Sequence, residues 1–212
     1  MKTAIIGLGN IGRQVALNLI AGDQSVIVAD HGATKAADFA KASGGKARGA
    51  SVATAIEDAD IIVFAVYFDV IKELLAEYRA KLAAKIVVDP SNPVAPDGTG
   101  GFKKTIPQDQ SSGQILARLL PVGARLVKAF GTLGAASLKA GARHAPEPYA
   151  LFYASDDRDA GNTVADLIKA SGFVPVPVGG ISQSIRIEVF GDLHEFGKLG
   201  KLVTAKEASA LV

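Results

Sequence analysis

Thr3-Ala4-Ile5-Ile6-Gly7-Leu8-Gly9-Asn10-Ile11-Gly12 opens the chain and decides its fold. Thr3 to Leu8 reads as a buried strand, and Ile11 to Ala21 places Ile11, Val15, Ala16, Leu19 and Ile20 on one helical face before Gly22 and Asp23 end the helix. Each glycine in the turn between them has a mechanical reason. Gly7 permits the sharp strand-to-helix turn, Gly9 lets backbone approach a bound group with no Cβ in the way, and Gly12 lets the helix pack closely on the strand. The N–H groups of Asn10 and Ile11 then point outward from the helix start, where an anion gains about 0.3–1 kcal/mol from the helix dipole.

In a chain with 23 glycines, three spaced in this way are weak evidence by themselves. Their context strengthens them. Ser25 to Ala29 is a second apolar run, Thr34 to Ser43 a second helical stretch, and Asp30 lies between them, 18 positions after Gly12. A strand, a Gly-rich turn, a helix and an acid at the end of the next strand form the fingerprint of a dinucleotide site, so the chain is expected to bind NAD(P). A carboxylate at Asp30 accepts hydrogen bonds from ribose hydroxyls and opposes a 2′-phosphate, an opposition that His31 and Lys35 could offset, and on the residues alone NAD(H) is favoured.

The alternation continues through Asp60 to Val66, Val70 to Leu82 and Lys85 to Asp89. Strands that are apolar throughout need cover on both faces, which predicts an α/β class with a doubly wound, mostly parallel, Rossmann-like sheet. Pro90 to Gln110, with Lys103 and Lys104, reads as a long loop. Beyond it come a helix capped by Ser111 or Ser112, a strand over Ala124 to Phe130, a strand at Tyr149 to Ala154, a helix from about Gly161 to Ala170, and an edge strand at Phe173 to Val178 marked by Pro175 and Pro177. Residues 1–180 thus form the dinucleotide-binding unit. Residues 181–212 form a small C-terminal segment, read as mainly helical and too short for a core of its own, which is expected to cover the site or make a homodimer contact.

Composition narrows the function classes. Lys and Arg total 23 against 21 Asp and Glu, so there is no broad cationic surface for nucleic acid. With no Cys and three His, no metal site is expected. Mean hydropathy is +0.26, yet no apolar run approaches the roughly 20 residues needed to span a bilayer, so a cytoplasmic protein without a membrane partner is expected.

Ligands of such sheets lie outside the carboxyl ends of the strands, which singles out Ala65-Val66-Tyr67, Ser91-Asn92-Pro93 and Gly131-Thr132. Tyr67 and Phe68 either flank a dinucleotide or belong to the core. Asn92 either holds an amide or ribose or is a pre-proline turn residue. No Tyr-x-x-x-Lys pair and no His beside an acid on a strand end offers a proton for carbonyl reduction, so no catalytic residue is assigned. His194 reads as a surface residue, His144 as a loop residue, and Arg186 as a residue that could grip an anionic or carbonyl-bearing acceptor, facing away from Glu188 on a helix and alongside it on a strand.

Taken in order, TAIIGLGNIG, DIIVFAV, KIVVDPSNP and LVKAFGTL resemble the deazaflavin (coenzyme F420)-dependent NADP oxidoreductases, a group of dinucleotide-binding enzymes related to the cytoplasmic domain of metalloreductases. The resemblance runs to about Arg186. It implies direct hydride transfer between nicotinamide and a flavin-like acceptor, with no obligatory acid or base. It also implies that Gly9, Asn10 and Ile11 bind pyrophosphate, Val66 and Tyr67 the adenosine-side ribose and phosphates, and Asn92 and Ala135 the nicotinamide region, with Arg186 toward the second ring; Thr132, at its strand end, is read beside it as a substrate contact. Where the family usually carries a basic Gly-Ser-Arg-Arg type stretch for the 2′-phosphate, this chain has Ala29-Asp30-His31-Gly32 with Lys35, so the resemblance favours NADP and Asp30 favours NAD. The rival readings are a non-catalytic NAD(P)-binding or sensing protein, and a dehydrogenase of small carbonyl or imine compounds using Thr132, Tyr67 or His194 as proton donor.

Overall fold

The computed structural model describes all 212 residues, Ala33 by its backbone alone. Strand β1 (Thr3–Ile6) leads into α1 (Asn10–Ala21), β2 (Val26–Ala29), α2 (Ala33–Ala42), β3 (Ala47–Gly49), α3 (Val52–Asp58), β4 (Ile61–Phe64), α4 (Phe68–Glu77) and β5 (Ile86–Asp89). A short antiparallel hairpin, β6 (Val94–Pro96) with β7 (Phe102–Lys104), follows. Then come α5 (Ser112–Leu119), β8 (Arg125–Lys128), α6 (Ala135–Gly141), β9 (Ala150–Ser155), α7 (Arg158–Ala170), β10 (Val174–Pro177), a 3-10 helix at Ile181–Ile187 and α8 (Ala205–Ser209).

Eight strands form one sheet in the order β10-β9-β8-β5-β4-β1-β2-β3, parallel except where β9 runs against β8. The chain winds from β1 outward through β2 to β3, then crosses to β4 on the other side of β1, so strand order reverses between β1 and β4. A cleft opens at such a reversal, outside the carboxyl ends of the strands. Both faces of the sheet are buried. Ile5, Val28, Val63, Val88 and Val127 pack against α1 and α7, and Ala4, Ile6, Ile27, Ile62, Phe64 and Val87 pack on the other face with α3, α4 and α5. Burying each large aliphatic side chain contributes about 1.5–3 kcal/mol, which is why neither face tolerates a polar alternation.

The doubly wound α/β expectation holds, and β10, with its two prolines, is an edge strand. Three expectations change. β3 and α3 lie in a stretch whose short, half-polar runs gave no periodic signal, as does α6. The 90–110 loop contains the β6–β7 hairpin. The C-terminal segment is one 3-10 turn, an irregular stretch and a five-residue helix rather than a mainly helical piece, because its glycines at 191, 197 and 200 interrupt the four-residue spacing. The segment packs back over its own sheet, where Ile187, Leu193, Val203 and Ala208 join Phe152, Ala154 and Val176 in one buried cluster. No described helix is long and apolar enough to cross a membrane.

Candidate functional site

The Gly-rich turn lies at the carboxyl end of β1, facing the reversal point. Gly7 has φ +95°, and a Cβ there would lie 2.5 Å from the Ala65 carbonyl oxygen and from Val66 Cγ1. A Cβ at Gly12 would overlap the Gly7 carbonyl and come within 2.8 Å of Ala65 Cβ. Ala65 and Val66, at the end of β4, therefore pack directly on the turn, as their position in the sequence suggested. Gly9 differs: nothing lies within 4 Å of its Cβ position, and Gly9 and Asn10 are exposed with Ile11 half-buried beside them. α1 starts at Asn10 with no side-chain cap and no acidic residue in its first turn, so its N-terminal N–H groups are left for an anion.

Asp30 closes the far side of the turn. Its Oδ2 accepts the Leu8 N–H at 2.7 Å and stands 3.4 Å from Lys35 Nζ. Burial works against ionisation of this carboxyl, but the Leu8 N–H and the Lys35 ammonium outweigh it and hold the group below the usual carboxylate range. The other oxygen, Oδ1, is buried and makes no hydrogen bond, with Nδ1 of the exposed His31 at 2.7 Å in an ion-pair contact. A half-satisfied buried carboxylate beside an open Gly9 fits an adenosine ribose, whose hydroxyls would supply the missing hydrogen bonds. Tyr67, just beyond Val66, is 83% exposed at the rim, whereas its neighbour Phe68 is core.

On the other side of the cleft the ends of β5 and β8 carry a charged cluster that the sequence reading did not isolate. Asp89 and Lys128 are register partners on adjacent strands, both almost fully buried. Lys128 Nζ donates to Asp89 Oδ2 (2.7 Å), to Ser112 Oγ (2.7 Å) and to the Ser91 carbonyl. Glu188 arrives from the C-terminal segment and accepts from Ser112 N (3.0 Å), Gly113 N (3.1 Å) and Ser112 Oγ (2.9 Å), with Lys128 Nζ at 3.7 Å. One ammonium and the first N–H groups of α5 thus hold two carboxylates away from water. Burial of that kind is tolerable only when every charge is partnered. The signal in the sequence was a charge set inside apolar strands, Asp89 ending KIVVD and Lys128 within LVKAF.

Around this cluster two loops are stitched together. Asn92 Nδ2 donates to the Gly131 carbonyl (2.9 Å), and Asn92 Oδ1 accepts from Val189 N (2.7 Å), so Asn92 holds protein main chain with both ends of its amide. A Cβ at Gly131 would lie 2.7 Å from the Pro90 carbonyl oxygen. Ser91 Oγ and Thr132 Oγ1, on these same loops, are buried with no hydrogen-bond partner. Ala135 begins α6, half-buried beside Gly134, whose N–H donates to Glu195.

His194 corrects the expectation of a surface residue: it is 1% exposed. Its Nδ1 accepts the Phe196 N–H at 2.9 Å, so Nε2 carries the hydrogen and donates to the Gly131 carbonyl at 2.8 Å. Burial, aided by the nearby Lys128 charge and only partly opposed by the Gly131 hydrogen bond, pushes its pKa down to about 4. A neutral imidazole with both nitrogens engaged is a strut between the C-terminal segment and the Gly131 turn. Arg186 and Glu188 do face apart. Glu188 turns inward, while Arg186 bonds to Asp192 (Nε 3.1 Å, Nη2 2.9 Å to Oδ2) and to the Leu211 carbonyl (3.0 Å), an arrangement that occupies its guanidinium within the segment. His144 sits exposed in its loop against Tyr149. Among the described residues no group of three or more His, Cys, Asp or Glu side chains is placed to hold a metal ion.

Comparison with known proteins accords with this geometry. Residues 2–93, from β1 through the Asn92 loop, match the family model described as NADP oxidoreductase, coenzyme F420-dependent. The rat metalloreductase STEAP3 is 28% identical over 187 residues, covering 88% of this chain, which spans 36% of that protein's length. An F420-dependent NADP reductase of Methanothermobacter marburgensis is 27% identical over 199 residues, with 89% of this chain and 88% of that protein covered. Among solved structures, the hypothetical protein SMa0349 of Sinorhizobium meliloti superposes with a TM-score of 0.84 at 29% identity, covering 96% of this chain and 95% of that one. The open Gly9 turn, the Asp30 carboxylate and the β4 wall all fall inside the stretch, residues 2–93, that matches the model of the coenzyme F420-dependent NADP oxidoreductases.

Proposed function

We propose that the chain is an NAD(P)H-dependent oxidoreductase that passes a hydride to a flavin-like, deazaflavin-type acceptor. The observation that carries this reading is the pairing of an open, uncapped Gly9–Asn10–Ile11 turn with the buried Asp30 carboxylate, whose Oδ1 makes no hydrogen bond. The turn receives the pyrophosphate, Gly7 and Gly12 hold strand and helix together beneath it, Ala65 and Val66 form its wall, and Tyr67 covers it. Asp30 takes the adenosine ribose, with His31 and Lys35 within reach of a 2′-phosphate. Bound in this cleft, a reduced nicotinamide supplies a hydride to an acceptor lying against it, and the proton completing the reduction comes from solvent. Ser91 Oγ and Thr132 Oγ1 are the free hydroxyls nearest the nicotinamide end, with Ala135 beside them, and Asn92 keeps their two loops in register.

The engaged His194 is no proton donor for carbonyl reduction, since neither ring nitrogen is free to give a proton, which leaves Thr132 and Tyr67 as the donors that reading would need. Rate then comes from positioning. A homodimer contact through the C-terminal segment would draw on its exposed Phe190, Phe196, Leu211 and Val212, because Leu193 and Val203 lie in the chain's own core, and sedimentation velocity reads it. Titration of nicotinamide fluorescence with NADH and NADPH should show saturable binding. A panel of a 5-deazaflavin, FMN, ferric chelates and small carbonyls should then show oxidation by the planar acceptors. Tight binding with no oxidation by any of them would leave a dinucleotide sensor and overturn the oxidoreductase reading.

A further inference from the structure

Among the described residues, Phe190 is the one exposed aromatic side chain on a left-handed backbone, with φ +75° and half of its surface in solvent. Both features work against stability, because a bulky side chain in that region is strained and an exposed ring forgoes burial. The conformation is imposed from both sides. Before it, Glu188 is locked into the buried charged cluster and Val189 N–H donates to Asn92 Oδ1. After it, Leu193 N–H donates to the Arg186 carbonyl (2.9 Å), and Gly191 sits so close beneath that a Cβ there would overlap the same carbonyl. The residue between these anchors cannot relax, and a glycine would meet the backbone demand without strain.

Strained residues held in place by their surroundings concentrate where a side chain is presented to a ligand. The Val189 N–H bond to Asn92 Oδ1 brings the backbone leading into Phe190 to the loop that follows β5 at the carboxyl edge of the sheet. We propose that Phe190 is a specificity-determining residue for the hydride acceptor, its ring forming a face on which a planar aromatic acceptor packs. The proposal rests on the oxidoreductase reading above.

The test compares the parent chain with Phe190→Gly and Phe190→Trp, using FMN and a 5-deazaflavin as acceptors, fluorescence titration for NADPH affinity, and thermal melting. Phe190→Gly should melt about 2–4 °C higher as strain is released, raise the acceptor KM about three- to tenfold and leave NADPH affinity within about twofold. Phe190→Trp, which keeps a flat ring, should hold the acceptor KM within about twofold of the parent. An unchanged KM in Phe190→Gly, a lower melting temperature, or a parent that binds NADPH yet reduces neither acceptor overturns the proposal. So does loss of a dimer with KM unchanged, which would make the ring a subunit contact. A parent that binds no dinucleotide at all overturns the underlying reading instead.

Discussion

Asp30 shows how one residue can be legible in role and illegible in detail. Its distance from Gly12 and its place after an apolar run marked it as the acid of a dinucleotide site. That one oxygen is held by Leu8 and Lys35 while the other makes no hydrogen bond depends on where α2 begins, which the spacing does not contain. Replacing the carboxylate removes its opposition to a 2′-phosphate and leaves Lys35 and His31 to attract one. Asp30→Ser should therefore shift the ratio of NADPH to NADH affinity toward NADPH by about tenfold, close to 1.4 kcal/mol, read by parallel fluorescence titrations. An unchanged ratio would mean that Asp30 does not touch the ribose. Phe190 is the opposite case, since neither its backbone angle nor its exposure has a mark in the sequence.

At the scale of elements, the ends of β5 and β8 are joined to the C-terminal segment by charge. Lys128→Met leaves Asp89 and Glu188 buried without their ammonium, and should destabilise the protein by about 3–5 kcal/mol in urea unfolding. A loss under 1 kcal/mol would show that water reaches the cluster. His194 gives these contacts a pH dependence whose sign follows from its lowered pKa. The unfolded imidazole takes up a proton near pH 6.5, while the folded one resists until about pH 4. Its contribution is therefore neutral above pH 6.5 and becomes unfavourable as pH falls, reaching a loss of about 3 kcal/mol by pH 4. His194→Gln should flatten the decline in stability between pH 7 and pH 4.5, and an equally steep decline in that variant would place its source elsewhere. The sequence suggested a surface residue because His194 sits beside the charged Glu195 in the C-terminal segment, and nothing in the spacing records that this segment folds back onto the Gly131 turn.

For the whole molecule, the division at residue 180 describes the chain's change of pattern, while the packing runs across it. Residues 181–212 supply Ile187, Leu193, Val203 and Ala208 to a cluster shared with β9 and β10, along with Ile181 to the core beneath α5 and the Glu188 carboxylate. A chain ended at Gly180 should lose cooperative urea unfolding and partition into the insoluble fraction; a soluble, cooperative 1–180 fragment would make the segment a true appendage. The sequence by itself determined the class of fold and the dinucleotide turn, because strands apolar on both faces and a glycine turn with Asp30 at a fixed distance are local patterns with few alternative uses. Only the tertiary structure decided how the far side of the cleft is built. Asp89, Lys128, Ser112, Glu188 and His194 come from separate elements, and nothing in their spacing records that β5 and β8 are neighbours or that the C-terminal segment folds back to meet them.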